Sequence, residues 1–316
     1  MPQSGARVST LLVVGYNAWD VIVPLPALPA PDTKLETPGL LTGGGGPAAT
    51  AAVALARLGA RVRLVTPLAD DPPGLSQRRE LEAAGVDLSL SPTRAGAASP
   101  LAVILVEPSG ARTILWRRGD LPGLAPPETA AAWLDGVDVL LCDSHEPAAA
   151  AALARAARAR GVPVVLDGGT ARLGLAELVP LCDDVIASSV FAPALTGERD
   201  PVAALRALAA RGPARVAITY GPAGCLALDQ DAPFHVPAFD VPVRDTTGAG
   251  DAFHAGYALA RAEGRPFAES LAWGSAVAAL KCRDWGGRRG LPTRPEVEAL
   301  LRDGRRRGER PPAGGR

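Results

Sequence analysis

Short β-branched runs alternate with alanine- and leucine-rich stretches of helical length along most of this chain. That alternation predicts an α/β fold, a doubly wound, mostly parallel sheet covered by helices on both faces. The runs at 11–14, 62–65, 137–141, 162–166, 185–186 and 216–219 read as strands. Helices are expected at 49–58, 147–160, 201–211, 252–262 and 267–282. Two stretches break the rhythm: 21–41, rich in proline, and 100–116, where LAVILVEPSGARTILW reads as a hairpin turning at Pro108–Gly110. They form a separate β element, a small lid contributed by about 17–42 and 98–118, of the kind that covers a site or pairs with a second subunit. With 316 residues, the chain suits one large domain over 1–303. The remainder, 304–316, combines arginine, proline and glycine without apolar periodicity and is expected to be a disordered basic tail.

Charge excludes several partners. Lysine plus arginine (33) balance aspartate plus glutamate (33), so no overall positive field draws the chain to nucleic acid or acidic membranes. The expected partner is a small molecule. Cys142, Cys182, Cys225 and Cys282 lie about forty or more residues apart with no CxxC pair, against a disulfide framework or zinc knuckle. They read as reduced core thiols. The apolar run LLVV is too short for a signal-peptide core, and nothing approaches the roughly 18 apolar residues of a membrane span. The expected location is the cytoplasm.

The chemistry concentrates in 245–260, DTTGAGDAFHAGYALA, a small-residue turn whose final carboxylate sits where an amphipathic helix begins. Gly248, Ala249 and Gly250 leave their backbone N–H groups free to approach an anion, and the helix adds its positive end. Asp251 there is expected to stay ionised and to face whatever the turn holds. A bland alternative makes Asp251 only a helix N-cap. The coincidence of glycines, threonines and a carboxylate at the helix start favours the chemical reading.

DTTGAGD with the following AFHAG resembles the C-terminal signature of the ribokinase, or PfkB-type, carbohydrate kinases. The resemblance covers nearly the whole chain. It implies an ATP-dependent kinase that phosphorylates a hydroxyl of a small sugar-like molecule, with magnesium and in some cases a monovalent cation as cofactors. It implies Asp251 as the base and the amides of Gly248, Ala249 and Gly250 as the anion hole. VVGYNAWDVIVPLP at 13–26 is similar to the family's first strand and departing lid, which makes Asp20 a ligand for sugar hydroxyls. GGGGPAATAAVALARLGA at 43–60 is similar to the N-terminal signature, with Gly45 and Gly46 against the substrate. It departs at Thr50, where the signature commonly has asparagine. VAITYGPAGCL at 216–226 places Thr219, Gly221 and Gly224 against the nucleotide, with Thr246 beside them. Ser188 and Phe191 fall where the family often has Asn-x-x-Glu, so the metal contacts are unassigned. Residues 270–293 resemble the closing helix and loop near the adenine, although helix packing explains Gly274, Ser275 and Ala278 equally well.

Other residues carry less. His145, His235 and His254 show no metal-ligand spacing, and only His254, three residues past Asp251, is near the motif. No GxxxxGK[ST] is present. Arg112, Arg117 and Arg118 could reach a charged acceptor such as a sugar phosphate, but solvated edge arginines are the favoured reading. A nucleoside kinase, with Trp19, Leu115 and Trp116 toward a base, and a non-catalytic sugar or nucleotide sensor are the alternatives. Dimerisation through the lid is a further expectation.

Overall fold

A computed structural model describes residues 7–308 and 310–311. Its main sheet has nine strands. In spatial order they are Ala232–Val236, Cys225–Asp229, Arg215–Thr219, Asp184–Ser188, Val164–Gly168, Val139–Cys142, Thr10–Val14, Arg61–Val65 and Val86–Asp87. From Arg215–Thr219 to Val86–Asp87 all neighbours are parallel, while the first two strands form an antiparallel edge. Every residue of Val139–Cys142 and Val164–Gly168 is buried, as strands covered on both faces require.

The period of two sorts these side chains into two cores. Leu11, Val13, Val139, Leu141 and Ile186 face the helices Pro47–Arg57, Ala249–Ala262 and Phe267–Lys281. Leu12, Val14, Leu140, Val164 and Val185 face Pro147–Ala159 and Pro201–Ala209 on the other side. The helices start where their sequences say. Pro201 opens one helix, and the Asp200 carboxylate before it accepts the Ala203 N–H at 2.8 Å. All the strands and helices expected from the sequence are present, with ends shifted by at most three residues.

The lid is a separate four-stranded sheet in the order Leu41–Gly45, Ala18–Pro24, Leu101–Val106, Arg112–Arg117. Its register aligns Asp20 with Ala102 and Trp116, Ile22 with Ile104 and Ile114, and Pro24 with Val106 and Arg112. Directly paired residues share a face. Ile22, Ala102, Ile104 and Val106 are buried, so this face turns to the body and takes Asp20, Trp116 and Arg112 with it.

The tail expectation divides. Residues 304–308 pack back on the body: Phe239 and Arg306 form an antiparallel bridge, Arg307 N–H donates to Ala238 O at 2.8 Å, and the Arg306 guanidinium lies 3.5 Å from the Phe239 ring centre. Glu309 and residues 312–316 lie outside the described residues. Among the described residues no helix is long and apolar enough to cross a membrane, and all four cysteines are free and buried.

One buried tie fixes the helix Ala249–Ala262 to the sheet. The Asp184 carboxylate accepts the Tyr257 hydroxyl at 2.9 Å and the Arg261 Nε–H at 3.0 Å, with both Asp184 and Tyr257 buried. Removing one member leaves the others desolvated and unpaired. Asp184→Ala is therefore expected to destabilise the fold by about 3 kcal/mol, and Tyr257→Phe by about 1 kcal/mol. Urea unfolding of the three proteins checks the ranking.

Candidate active site

The anion turn is built on a backbone conformation that only glycine adopts readily. Gly248 caps the helix Ala249–Ala262 with φ 75°, and a Cβ there would lie 2.8 Å from Gly287 Cα. The turn is held from beneath by Asp245, which is fully buried. Its carboxylate accepts Thr247 N–H at 2.8 Å and Gly286 N–H at 2.7 Å, and its carbonyl accepts the buried Lys281 ammonium at 2.9 Å. The upper side is open: a Cβ on Gly250 would meet nothing within 4 Å. Backbone donors and a helix N-terminus thus face one free surface, with the buried Lys281 ammonium beneath it.

Asp251 stands in the first helical turn beside this surface. Burial, with the nearby Asp167 carboxylate as the next cause, raises its pKa above the usual carboxylate range, so the helix end does not keep it as acidic as the sequence suggests. Raised affinity for a proton suits a base better than a spectator carboxylate does. Asp167 Oδ2 also lies 3.2 Å from His254 Nδ1. Both ring nitrogens of His254 face carbonyls, Nδ1 that of Gly250 at 2.7 Å and Nε2 that of Ile186 at 3.0 Å. Burial lowers the pKa of this ring, while two acceptors can both be satisfied only by the imidazolium. His254 thereby ties the turn to the strand Asp184–Ser188.

Across the cleft, Asp20 reaches in from the lid. Gly45 leaves the Asp20 carboxylate its place, because a Cβ would lie 2.0 Å from Asp20 Oδ2 and displace it. Gly46 adopts φ 83° as it opens the helix Pro47–Arg57. Under this loop Arg288 is buried. Its guanidinium donates to Gly45 O at 2.8 Å, Asn17 Oδ1 at 3.2 Å and Glu80 Oε1 at 3.2 Å, while Glu80 Oε2 accepts Gly44 N–H at 2.7 Å. Burial pushes the Asp20 pKa up to about 7, the Arg288 charge opposing and the Asp251 charge adding to the rise. Thr50 is fully buried with its hydroxyl unpartnered, beneath the loop instead of on its open side.

The candidates on the nucleotide side lie elsewhere. Thr219 ends Arg215–Thr219, three strands from Val139–Cys142, and its hydroxyl donates to Ala187 O at 3.3 Å. Gly221 is exposed with φ 55°. Gly224 is buried against Val236, whose carbonyl would lie 2.2 Å from an added Cβ, so chain reversal alone demands this glycine. Thr246 joins the turn to the lid: its hydroxyl donates to Gly110 O at 2.9 Å and accepts from Arg112 Nη1 at 2.8 Å.

Arg112 thus corrects the edge-arginine reading. Although exposed like Arg117, it lies on the body-facing row of the lid and donates to Thr246, and Arg118 pairs with Glu146 at 2.6 Å. Phe191 is fully buried packing, and the Ser188 hydroxyl donates to Gly169 O at 2.8 Å. Gly274 packs against Phe253 of the preceding helix. Sequence reasoning missed Asp143, Asp167, Lys281 and Arg288. The first two had a signal, a carboxylate directly after an apolar strand, where parallel sheets open their crevice.

A model of the pfkB family carbohydrate kinases matches residues 8–294. The chain belongs to this family. It is 29% identical over 300 residues to the ribokinase of Haemophilus influenzae, covering 92% of this chain and 98% of that one. It is 31% identical over 295 residues to the ATP-dependent ribose-1-phosphate kinase of Halopiger xanaduensis, at 92% and 97% coverage. The ribokinase of Arabidopsis thaliana, solved with ribose and ATP, superposes with a TM-score of 0.79 at 25% identity, over 93% of this chain and 99% of that one. As a pfkB kinase, the chain is an ATP-dependent phosphotransferase that acts on a sugar hydroxyl.

The Asp20 shift carries a stability consequence. Its folded pKa, about 7, exceeds the unfolded value, so the contribution to stability is complete below the unfolded value and is lost as pH rises through about 7. Asp20→Asn removes the titration. Its unfolding midpoint is expected to exceed the wild-type value at pH 8 and to converge toward it at pH 5, as thermal scans at both pH values would read.

Proposed function

We propose that Asp251 is the general base of this kinase, and that the amides of Gly248, Ala249 and Gly250 stabilise the charge of the transferring phosphoryl group. The observation that carries the reading is a partly buried carboxylate of raised pKa beside an open helix N-terminus. ATP supplies the phosphoryl group, and Thr219, Gly221 and Thr246 line its path, with the buried Gly224 shaping the turn behind them. Lys281 and Arg112 add positive charge on the two sides of the turn, and Asp20, Gly45 and Gly46 form the acceptor side, with the buried Thr50 behind the glycine loop. Asp251 accepts the hydroxyl proton as the acceptor oxygen attacks, and the amides meet the developing negative charge.

Magnesium fits as a companion of the ATP phosphates. Among the described residues no group of three or more metal-ligating side chains is present, while Asp167 and Asp251 offer carboxylates beside the turn. The free, buried cysteines suit a reducing, cytoplasmic setting. A nucleoside acceptor is a second reading, favoured by Trp116 on the cleft face of the lid. The lid's other face pairs Val21 with Val103 and Leu115, the last two exposed, and this apolar row supports a homodimer through the lid. A monomer in sedimentation at micromolar concentration would count against the dimer.

An ADP-release screen with ATP and magnesium against ribose, fructose, 2-keto-3-deoxygluconate, adenosine and sugar phosphates tests the assignment. Asp251→Asn is expected to lower kcat by about 10³-fold or more while ATP still binds. Arg112→Gln is expected to lower kcat by about 10²-fold, with a smaller effect on KM. Because the base is active only when ionised, kcat/KM should fall on acidification with an inflection above the ordinary carboxylate range. Unchanged turnover in Asp251→Asn would reject the base and favour a different catalytic group.

A further inference from the structure

Three adjacent parallel strands deliver a cluster that phosphoryl transfer does not use. Tyr16 follows Thr10–Val14, His145 follows Val139–Cys142, and Arg172 follows Val164–Gly168. The Tyr16 and His145 rings stack at 4.3 Å and 16°. The lid's Trp116 meets both in T-shaped contacts at 6.1 and 6.4 Å. Arg118 lies 5.9 Å from the Tyr16 ring centre and Arg172 5.5 Å from that of Trp116.

Polar atoms in this cluster are left unsatisfied. Tyr16 Oη, His145 Nδ1 and Arg172 Nε are all buried without a hydrogen-bond partner, although Tyr16 is only 7% exposed. A buried unpaired polar group costs about 1–3 kcal/mol, and a concentration of them in one place calls for a missing partner.

Charge identifies that partner. Arg118 is matched by Glu146, whose second oxygen accepts Leu124 N–H at 2.6 Å. Arg172 makes no ion pair or hydrogen bond among the described residues. Its neighbours in the field are Asp143, Arg118 and Tyr16, and the Asp143 carboxylate is occupied by the N–H groups of Tyr16, Ala48 and His145. His145 is neutral, its pKa pushed down to about 3 by burial and by the Arg172 and Arg118 charges. The cluster therefore offers a half-buried guanidinium with no direct partner among the described residues, a phenolic O–H donor and a neutral imidazole. A neutral sugar hydroxyl cannot offset the guanidinium. The facing sides of Tyr16 and His145 are taken up by their own stack, so no base inserts between them.

We propose that Tyr16, His145, Arg118 and Arg172 form an anion subsite, and that the acceptor is a sugar bearing a carboxylate or phosphoryl group away from the hydroxyl that is phosphorylated. This rests on the kinase reading above. Tyr16 lies within the field of Asp20, which places the subsite next to the proposed hydroxyl ligands. Trp116, on the outer lid strand, borders the subsite through its edge contacts with Tyr16 and His145.

The test compares matched acceptors in wild type, Arg172→Gln and Arg172→Lys. Ribose is set against ribose 1-phosphate and ribose 5-phosphate, glucose against gluconate, and 2-keto-3-deoxygluconate and adenosine are added. Wild type is expected to favour an anionic acceptor over its neutral counterpart by about 10²-fold in kcat/KM. Whether a phosphate or a carboxylate is preferred identifies the source of the charge. Arg172→Gln should reduce that ratio at least about tenfold, mainly through KM, and Arg172→Lys should restore part of it. Equal or better turnover of the neutral sugar or of adenosine in wild type would overturn the subsite, as would an equal loss on both classes in Arg172→Gln. If no acceptor releases ADP, the kinase assignment fails separately, and calorimetry with the same compounds decides the subsite. Tenfold tighter binding of an anionic compound that is lost in Arg172→Gln sustains it; equal or absent binding overturns it.

Discussion

Aspartates buried at the carboxyl ends of a parallel sheet are the constraint around which this molecule is arranged. Asp143 and Asp167 extend directly from strands, Asp251 opens a helix above them, and Asp20 comes down from the lid. Two like charges about 6 Å apart at an effective dielectric of about 20 repel by about 3 kcal/mol, and desolvation adds to that. The acids are raised in pKa by burial as a result, Asp20 and Asp143 to about 7. Cations arrive from other elements to balance them: Arg288 under the glycine loop, Lys281 under the anion turn, and Arg112 from the lid. The elements carrying those cations also wall the cleft, so charge balance and site construction are one problem.

Glycine turns solve the second half of that problem by making backbone the binding surface. At Gly45 the absence of a side chain gives Asp20 its space; at Gly248 the left-handed cap leaves the helix amides facing the open side of the turn. Neither turn is free to wander. Asp245 clamps one through Thr247 and Gly286, and Glu80 with Arg288 clamps the other through Gly44 and Gly45. Rigid donors that need no reorganisation stabilise developing charge better than mobile ones.

The parallel strands were legible because burial on both faces makes them continuous apolar runs, and the anion turn because small residues and a carboxylate meet at a helix start. The antiparallel edge Cys225–Asp229 and Ala232–Val236 escaped for a local reason. Its turn residues Gln230 and Asp231 take φ 45° and 71°, a conformation usually signalled by Asn-Gly or Gly-Gly. Arg112 escaped for a tertiary one, since an arginine on an edge strand has the same sequence appearance whether it faces water or a cleft. Only the register with Val106 and Pro24 decides. Arg288 had no local signal at all, because every group that defines its place lies far away in sequence.

That register gives the lid a dual reach. Asp20 and Arg112 occupy cleft-facing rows four residues apart along the sheet, a span of about 13 Å. One row addresses the proposed acceptor side; the other donates to Thr246 in the anion turn. A single sheet cannot move one row without the other. Raising the lid would therefore withdraw Asp20 and Arg112 together. The Gly110 carbonyl at the hairpin tip also accepts from Thr246, so the lowered lid is held by the same segment it completes. Such a linkage would disfavour phosphoryl transfer to water, because lifting the lid would remove Arg112 from the turn at the same time as Asp20 from the cleft.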